Sequence, residues 1–282
     1  MSDAPHDAST PSRTILSLDG TPIAVFSVGD GPALVLVHGA TADHTTWRTS
    51  GPILETRHAT RAIDRRGRGA SGDGPDYAIE REFEDLAAVV DALASDAGGP
   101  VDVVGHSYGG RIGLGAALLT ANLRRLVVYE GAPSPGAGRG YQDAGTLARI
   151  ERLVVAGDRD EALAAFMREI VGMPEADLAA FRADPIWPRR AATVATTIRE
   201  LRAEVSPAAS LEALGAVRQP VLQVVGGASA PIFGEATRAL DARLRNGRVV
   251  TIVGARHAAH HTHAEAFVTA IEAFLADPDL PD

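Results

Sequence analysis

The chain predicts an α/β fold: a mostly parallel, eight-stranded sheet with helices on both faces and a helical insertion over one edge. Three observations carry this reading. Eight short apolar or β-branched runs read as strands, and helical patterns alternate with them in both the first and the last third of the chain. Between these parts, residues 134–210 hold almost no strand-like run. Strands that alternate with helices pair in parallel, because each helix carries the chain back across a face of the sheet.

The elements follow in order. Residues 14–18 and 22–28 flank Asp19-Gly20, a hairpin turn signal. Residues 33–37 (Ala-Leu-Val-Leu-Val) form a continuous apolar run, as in a strand covered on both faces. A strand at 59–64 ends in arginines and glycines. Over residues 80–95, Phe83, Leu86, Val90 and Leu93 fall on one helical face. Strand 101–104 precedes a small-residue helix over 108–120, and strand 126–129 follows. The insertion then shows short amphipathic patterns punctuated by Pro174, Pro185, Pro188 and Pro207. Alternation resumes with strand 221–225, helix 235–244, strand 249–253 and helix 264–275. This divides the chain into a polar tail (1–12), a core (13–133 plus 211–282) and a helical lid (134–210).

Composition narrows the chemistry. The 282 residues include 27 basic side chains, all of them arginine, against 36 acidic ones, and no cysteine. Without lysine there is no Schiff base and no phosphate-loop lysine; without cysteine there is no thiolate nucleophile or metal–thiolate cluster. The absence of lysine reads as coding bias in an alanine- and arginine-rich proteome. A net charge of −9 argues against nucleic acid and anionic membrane as partners. No apolar run approaches the roughly 20 residues of a transmembrane helix. The first 12 residues lack an apolar signal core, so a cytoplasmic location is expected.

Three motifs carry chemistry. Gly105-His106-Ser107-Tyr108-Gly109 lies between a strand and a helix, the context of a G-x-S-x-G nucleophile elbow. The turn is so tight that bulk is excluded around the serine, which stands above the sheet. His38-Gly39-Ala40 follows strand 33–37, and the N–H groups of Ala40 and Tyr108 make a candidate oxyanion hole. His38 suits turn-fixing better than base catalysis, though it also stands as a candidate substrate contact. Finally, Gly254-Ala255-Arg256-His257 follows strand 249–253. His257 is the candidate base, nearest the strand end; His260, His261 and His263 follow it. A metal site on His257 and His261 is disfavoured, as no acidic ligand is nearby in sequence.

With these motifs in that order, the chain resembles the α/β-hydrolase superfamily over nearly its whole length. Asp64-Arg65-Arg66-Gly67-Arg68-Gly69-Ala70-Ser71 is similar to that family's D-x-x-G-x-G-x-S turn. The overlapping G-x-G-x-x-G match at 67–72 opens no helix and reads as loop-shaping, so no cofactor is expected. The resemblance implies a Ser-acid-His triad, but the usual acid position after strand 221–225 reads Gly226-Gly227-Ala228-Ser229-Ala230. Glu130, ending the strand that the resemblance places beside the nucleophile strand, is the natural substitute. Glu235 or an acid-free dyad are the alternatives.

A serine nucleophile suits acyl chemistry: hydrolysis of a small-molecule ester, thioester or lactone. Carbon–carbon hydrolysis, a lyase or cyclase using His257 as acid–base, and a non-catalytic binding protein are the other readings. Phe166, Met167 and Trp187 of the lid, and Trp47 after the oxyanion turn, are candidate pocket residues. Met173 and Phe181 are read as lid packing. Arg189 and Arg190 could meet an anionic substrate, with surface solvation the blander role.

Overall fold

The computed structural model describes residues 10–136 and 140–280. Most of the polar tail expected at residues 1–12 therefore lies outside the described residues. Eight strands form one sheet: β1 (Arg13–Leu16), β2 (Pro22–Val28), β3 (Ala33–Val37), β4 (Ala59–Ile63), β5 (Val101–His106), β6 (Leu123–Tyr129), β7 (Val221–Gly226) and β8 (Gly247–Ile252). Their order is β1-β2-β4-β3-β5-β6-β7-β8. β1 pairs antiparallel with β2, and β2 antiparallel with β4; every later neighbour is parallel.

Sequence bounds and observed bounds differ where a local signal is hidden. β6 begins three residues before the expected 126, at Leu123. Its Arg124 and Arg125 obscure the apolar pattern, yet both find partners within the fold. Arg124 Nε donates to Asp102 of β5 at 3.0 Å, and Arg125 Nη1 donates to the carbonyls of Phe274 and Leu275. The helix expected at 235–244 runs Pro231–Asp241, opened by proline at its first position, where the missing N–H costs nothing. β1 ends at Leu16, and the chain turns through Gly20 at φ +83°.

The apolar faces are covered as the fold requires. Helices Ile79–Ala97, Tyr108–Ala117 and Pro231–Asp241 bury Phe83, Leu86, Val90, Ile112 and Leu240 on one face. Helix Ala264–Leu275 buries Phe267, Ile271 and Phe274 on the other. Between β6 and β7 come helices Ala144–Val155, Arg159–Glu169, Glu175–Arg182, Trp187–Ala192 and Val194–Ala203. They have a separate apolar cluster, including Ile150, Leu163, Phe166, Trp187, Val194 and Leu201. We call this group the cap.

The cap docks on the core through polar contacts. Arg65 joins Glu82 to Glu200 of the cap. Arg68 donates to Glu200 Oε1 at 2.6 Å and to Thr193 and Thr197. Arg190 donates to Thr46 Oγ1 at 2.9 Å, and Arg189 pairs with Asp43. These arginine contacts anchor the cap over the carboxyl ends of β3, β5 and β6, where ligands bind in open α/β sheets.

Backbone packs closely against backbone around the β5–helix turn. A Cβ on Gly105 would lie 2.5 Å from the carbonyl oxygen of Gly109, which is backbone and cannot move aside. Gly99, by contrast, faces open space. Gly105→Ala is expected to cost about 1–3 kcal/mol, whereas Gly99→Ala stays near neutral. Urea unfolding midpoints of the two variants check this, and equal midpoints would contradict it.

Candidate active site

Ser107 sits between β5 and the helix Tyr108–Ala117 with φ +54° and ψ −121°. A non-glycine residue with positive φ is strained, and such strain concentrates at functional sites. The turn is held by Ser107 N–H donating to the Tyr129 carbonyl at 2.7 Å, and by Gly110 N–H donating back to the Ser107 carbonyl at 2.9 Å. Gly39 comes so close that a Cβ there would lie 3.0 Å from Ser107 Cβ. This approach sets Ala40 against the same space. Ala40, Ser107, Tyr108, Glu130 and His257 all border one cavity.

His257 lies on the loop after β8, and its Nδ1 is 2.5 Å from Glu130 Oε2. Glu130 follows the last residue of β6 with φ +47°, a second strained position. Its other oxygen, Oε1, accepts the Gly226 N–H at 2.7 Å. The end of β7, whose following loop lacks a carboxylate, thus supplies a donor that fixes one. Glu235 sits on the helix Pro231–Asp241; the carboxylate that meets His257 is Glu130. With Nδ1–H directed at Glu130, the Nε2 lone pair of His257 is left for a hydroxyl. Phe233 stacks on the imidazole at 4.5 Å between centroids, and His106 Nε2–H donates to the His257 carbonyl at 2.8 Å.

Comparison with known proteins gives the family. The family model for the alpha/beta hydrolase family matches residues 34–270. The chain belongs to the alpha/beta hydrolase family. A solved alpha/beta hydrolase from Sphaerobacter thermophilus is 33% identical with a TM-score of 0.77, covering 92% of this chain and 99% of that one. A 2-(acetamidomethylene)succinate hydrolase of Mesorhizobium japonicum is 29% identical over 264 residues, 88% of this chain and 89% of its own. An N-formylmaleamate deformylase of Pseudomonas putida is 38% identical over 114 residues, 39% of this chain and 41% of that protein. As a family member with hydrolase-named relatives, the protein is an enzyme. No helix among the described residues is long and apolar enough to cross a membrane.

Several residues singled out from sequence lie elsewhere in this hydrolase. His38 is fully buried and does not line the Ser107 cavity. Its Nδ1–H donates to the Gly39 carbonyl at 2.8 Å, and its Nε2 accepts Arg65 N–H at 3.1 Å. Burial, then the Arg65 charge, hold it well below an ordinary histidine pKa, so it is a neutral turn clamp. Trp47 is likewise 0% exposed and packs in the core cluster beside His260, not in the cavity. Met167 is consumed by the cap's own packing. Trp187 donates to Asp160 Oδ1 at 2.6 Å and borders a separate groove at residues 157–160 and 187–192. Of the pocket candidates on the cap, Phe166 alone lines the cavity.

Other lining residues had no sequence signal: Arg111, Tyr141, Ile170, Val171, Glu200, Leu201, Glu204 and Phe233. An arginine at 111, inside a helix of small and apolar residues, was the one oddity that could have flagged them. The D-x-x-G-x-G-x-S turn wraps Asp64, which accepts His44 N–H and Ala70 N–H, each at 2.8 Å. A Cβ at Gly69 would lie 1.9 Å from Asp64 Oδ2, so these glycines shape a loop. His261 Nδ1 faces Thr49 Oγ1 at 3.1 Å, and His260 Nε2 faces Thr46 Oγ1 at 3.3 Å.

Buried histidines couple stability to pH. Burial, with the Arg65 charge for His38 and the neighbouring His261 for His260, keeps both well below 6.5 in the folded state. The unfolded chain binds those protons near 6.5, so stability is intact above that pH and falls below it. Each histidine contributes about 1.4 kcal/mol per pH unit of decline. Urea midpoints should drop between pH about 7.5 and about 5.5, and His260→Gln should flatten that drop. An unchanged slope in the variant would count against this origin.

Proposed function

We propose that this enzyme hydrolyses a small-molecule ester, thioester or lactone through an acyl-serine intermediate on Ser107. The observation that carries the reading is the Glu130–His257 contact at 2.5 Å, with both residues and Ser107 on one cavity wall. A carboxylate on Nδ1 fixes the tautomer in which Nε2 accepts a proton, and it stabilises the imidazolium formed next.

The steps follow from this arrangement. Ser107 Oγ attacks the acyl carbon while its proton passes to His257 Nε2. The carbonyl oxygen becomes an oxyanion, for which the N–H groups of Ala40 and Tyr108 are the donors on hand. His257 returns the proton to the departing alcohol, thiol or hydroxyl, leaving the acyl group on Ser107. Water then attacks the acyl-serine, giving its proton to His257, and the acid leaves as Ser107 recovers the proton. None of these steps draws on a cofactor. The Mesorhizobium and Pseudomonas relatives, named as a hydrolase and a deformylase, support hydrolytic release of an acyl group.

A fluorophosphonate probe is expected to label Ser107, with turnover on a panel of small esters. Ser107→Ala should abolish both. Glu130→Gln should retain the fold, since Gly226 N–H still finds an acceptor, yet reduce kcat by roughly 10⁴ because the amide favours the wrong imidazole tautomer. Full turnover in Glu130→Gln, or none on any ester in a labelled wild type, would falsify the reading.

A further inference from the structure

The cavity beside Ser107 measures about 30 Å³, room for a few atoms, whereas small-molecule sites commonly span roughly 300–1,000 Å³. The cap is thus closed over the nucleophile, and what it presses into the cavity is charged. Glu200 lies on the cap helix Val194–Ala203 and Glu204 caps its end. At i and i+4 they share one helix face, and both border the cavity.

Each carboxylate meets arginine from the core. Glu200 Oε1 accepts from Arg68 and pairs with Arg65, whose other partner is Glu82. Burial opposes the charge on Glu200, but Arg65 and Arg68 outweigh it and hold its pKa below the ordinary value. Those four groups, two cations and two anions, balance among themselves.

Arg111 is different. It lies four residues beyond Ser107, about 6 Å along the helix axis, and is 3% exposed. Burying a guanidinium is costly unless its donors are met. Here Nη2 donates to the Ala132 carbonyl at 3.1 Å. Nη1 approaches one oxygen of Glu204 at 3.3 Å, and Nε has no partner among the described residues. The rings of Tyr108 and Tyr141 lie 5.9 and 5.4 Å from its guanidinium carbon, and the Tyr141 hydroxyl shares the Ala132 carbonyl with it. A planar guanidinium matches both oxygens of a carboxylate. Glu204 supplies one, while its Oε2 lies 3.5 Å from Tyr141 N. Burial also raises the Glu204 pKa, against the opposing pull of Arg111, and so weakens its hold.

We propose that Arg111 binds a carboxylate carried by the acyl half of the substrate, which replaces Glu204 as its partner. The proposal rests on Ser107 being the nucleophile. It names the substrate class as short acyl compounds with an acid group a few carbon atoms from the scissile carbonyl. Ser107 and Arg111 border the same small cavity, which keeps that separation short, and Phe166, Ile170 and Leu201 are apolar residues of its lining. Arg65 and Arg68 are taken up by Glu82 and Glu200, which leaves Arg111 as the arginine that lines the cavity and can meet the carboxylate.

The test compares monophenyl succinate and monophenyl glutarate with the neutral esters in which an amide replaces the free acid. In the wild type, kcat/KM is expected to favour the acids at least tenfold, about 1.4 kcal/mol. Arg111→Gln should erase that preference and Arg111→Lys should restore part of it. A second measurement needs no variant: glutarate should slow fluorophosphonate labelling of Ser107, and glutaramide should not. Equal turnover of acid and neutral esters, with no protection by glutarate or succinate, overturns the proposal while leaving the hydrolase reading intact. Failure of labelling and of every ester overturns the nucleophile reading itself.

Discussion

The whole site depends on one steric constraint, the crowding around the left-handed Ser107. A side chain at φ +54° is tolerated only if everything within reach of it is small. Gly39, Gly105, Gly109, Gly110 and Gly131 meet that demand from three different segments. A Cβ at Gly109 would strike the Val37 carbonyl oxygen at 2.4 Å, and one at Gly131 would strike that of Ser107 at 2.4 Å. The ends of β3, β5 and β6 can therefore converge more tightly than side chains would permit. Their convergence brings the His38–Ala40 loop and Glu130 to the serine.

A second consequence follows at Glu130. Its carboxylate is buried, and a buried carboxylate must have its oxygens met. One oxygen takes the Gly226 N–H and the other takes His257. The end of β7 and the loop after β8 are thus bound to the end of β6 through a single side chain. Moving the acid from the β7 loop to β6 preserves the contact with the base, since β6 and β7 are neighbours in parallel register. What the β7 loop loses in charge the end of β7 keeps in geometry, as the amide that orients the substitute.

This division explains what could be read in advance. Ser107 and its glycines were legible because the steric rule acts between residues adjacent in sequence. Glu130 was legible once strand order was inferred, because its position at a strand end fixes its height above the sheet. Arg111, Glu200 and Glu204 were not, as their meaning depends on how the cap docks, and docking is a contact between residues far apart in sequence, up to 146 positions for Arg189 and Asp43. Hydrophobicity misled in the same way. Trp47, Met167 and Trp187 have the size of pocket residues, but nothing local says whether an apolar side chain faces a cavity or its own core. The core of the cap claimed Met167, and the lower face of the sheet claimed Trp47.

The absence of lysine gains a physical meaning at the cap interface. Arg68 contacts the Thr193 carbonyl, the Thr197 hydroxyl and Glu200 at once, a spread of donors that a single ammonium cannot span. Arg190 makes the point through its charge. Burial, reinforced by repulsion from Arg48 and Arg68 and opposed by attraction to Asp43, pushes its pKa down to about 10, yet it remains a cation at neutral pH. A lysine begins about two units lower and would approach neutrality under the same burial, losing its hold across the seam. An interface that buries cations between two layers therefore favours guanidinium over ammonium, whatever bias first removed lysine from the chain. The same property lets Arg111 keep its charge beside an open coordination position, which is the condition for exchanging one carboxylate partner for another.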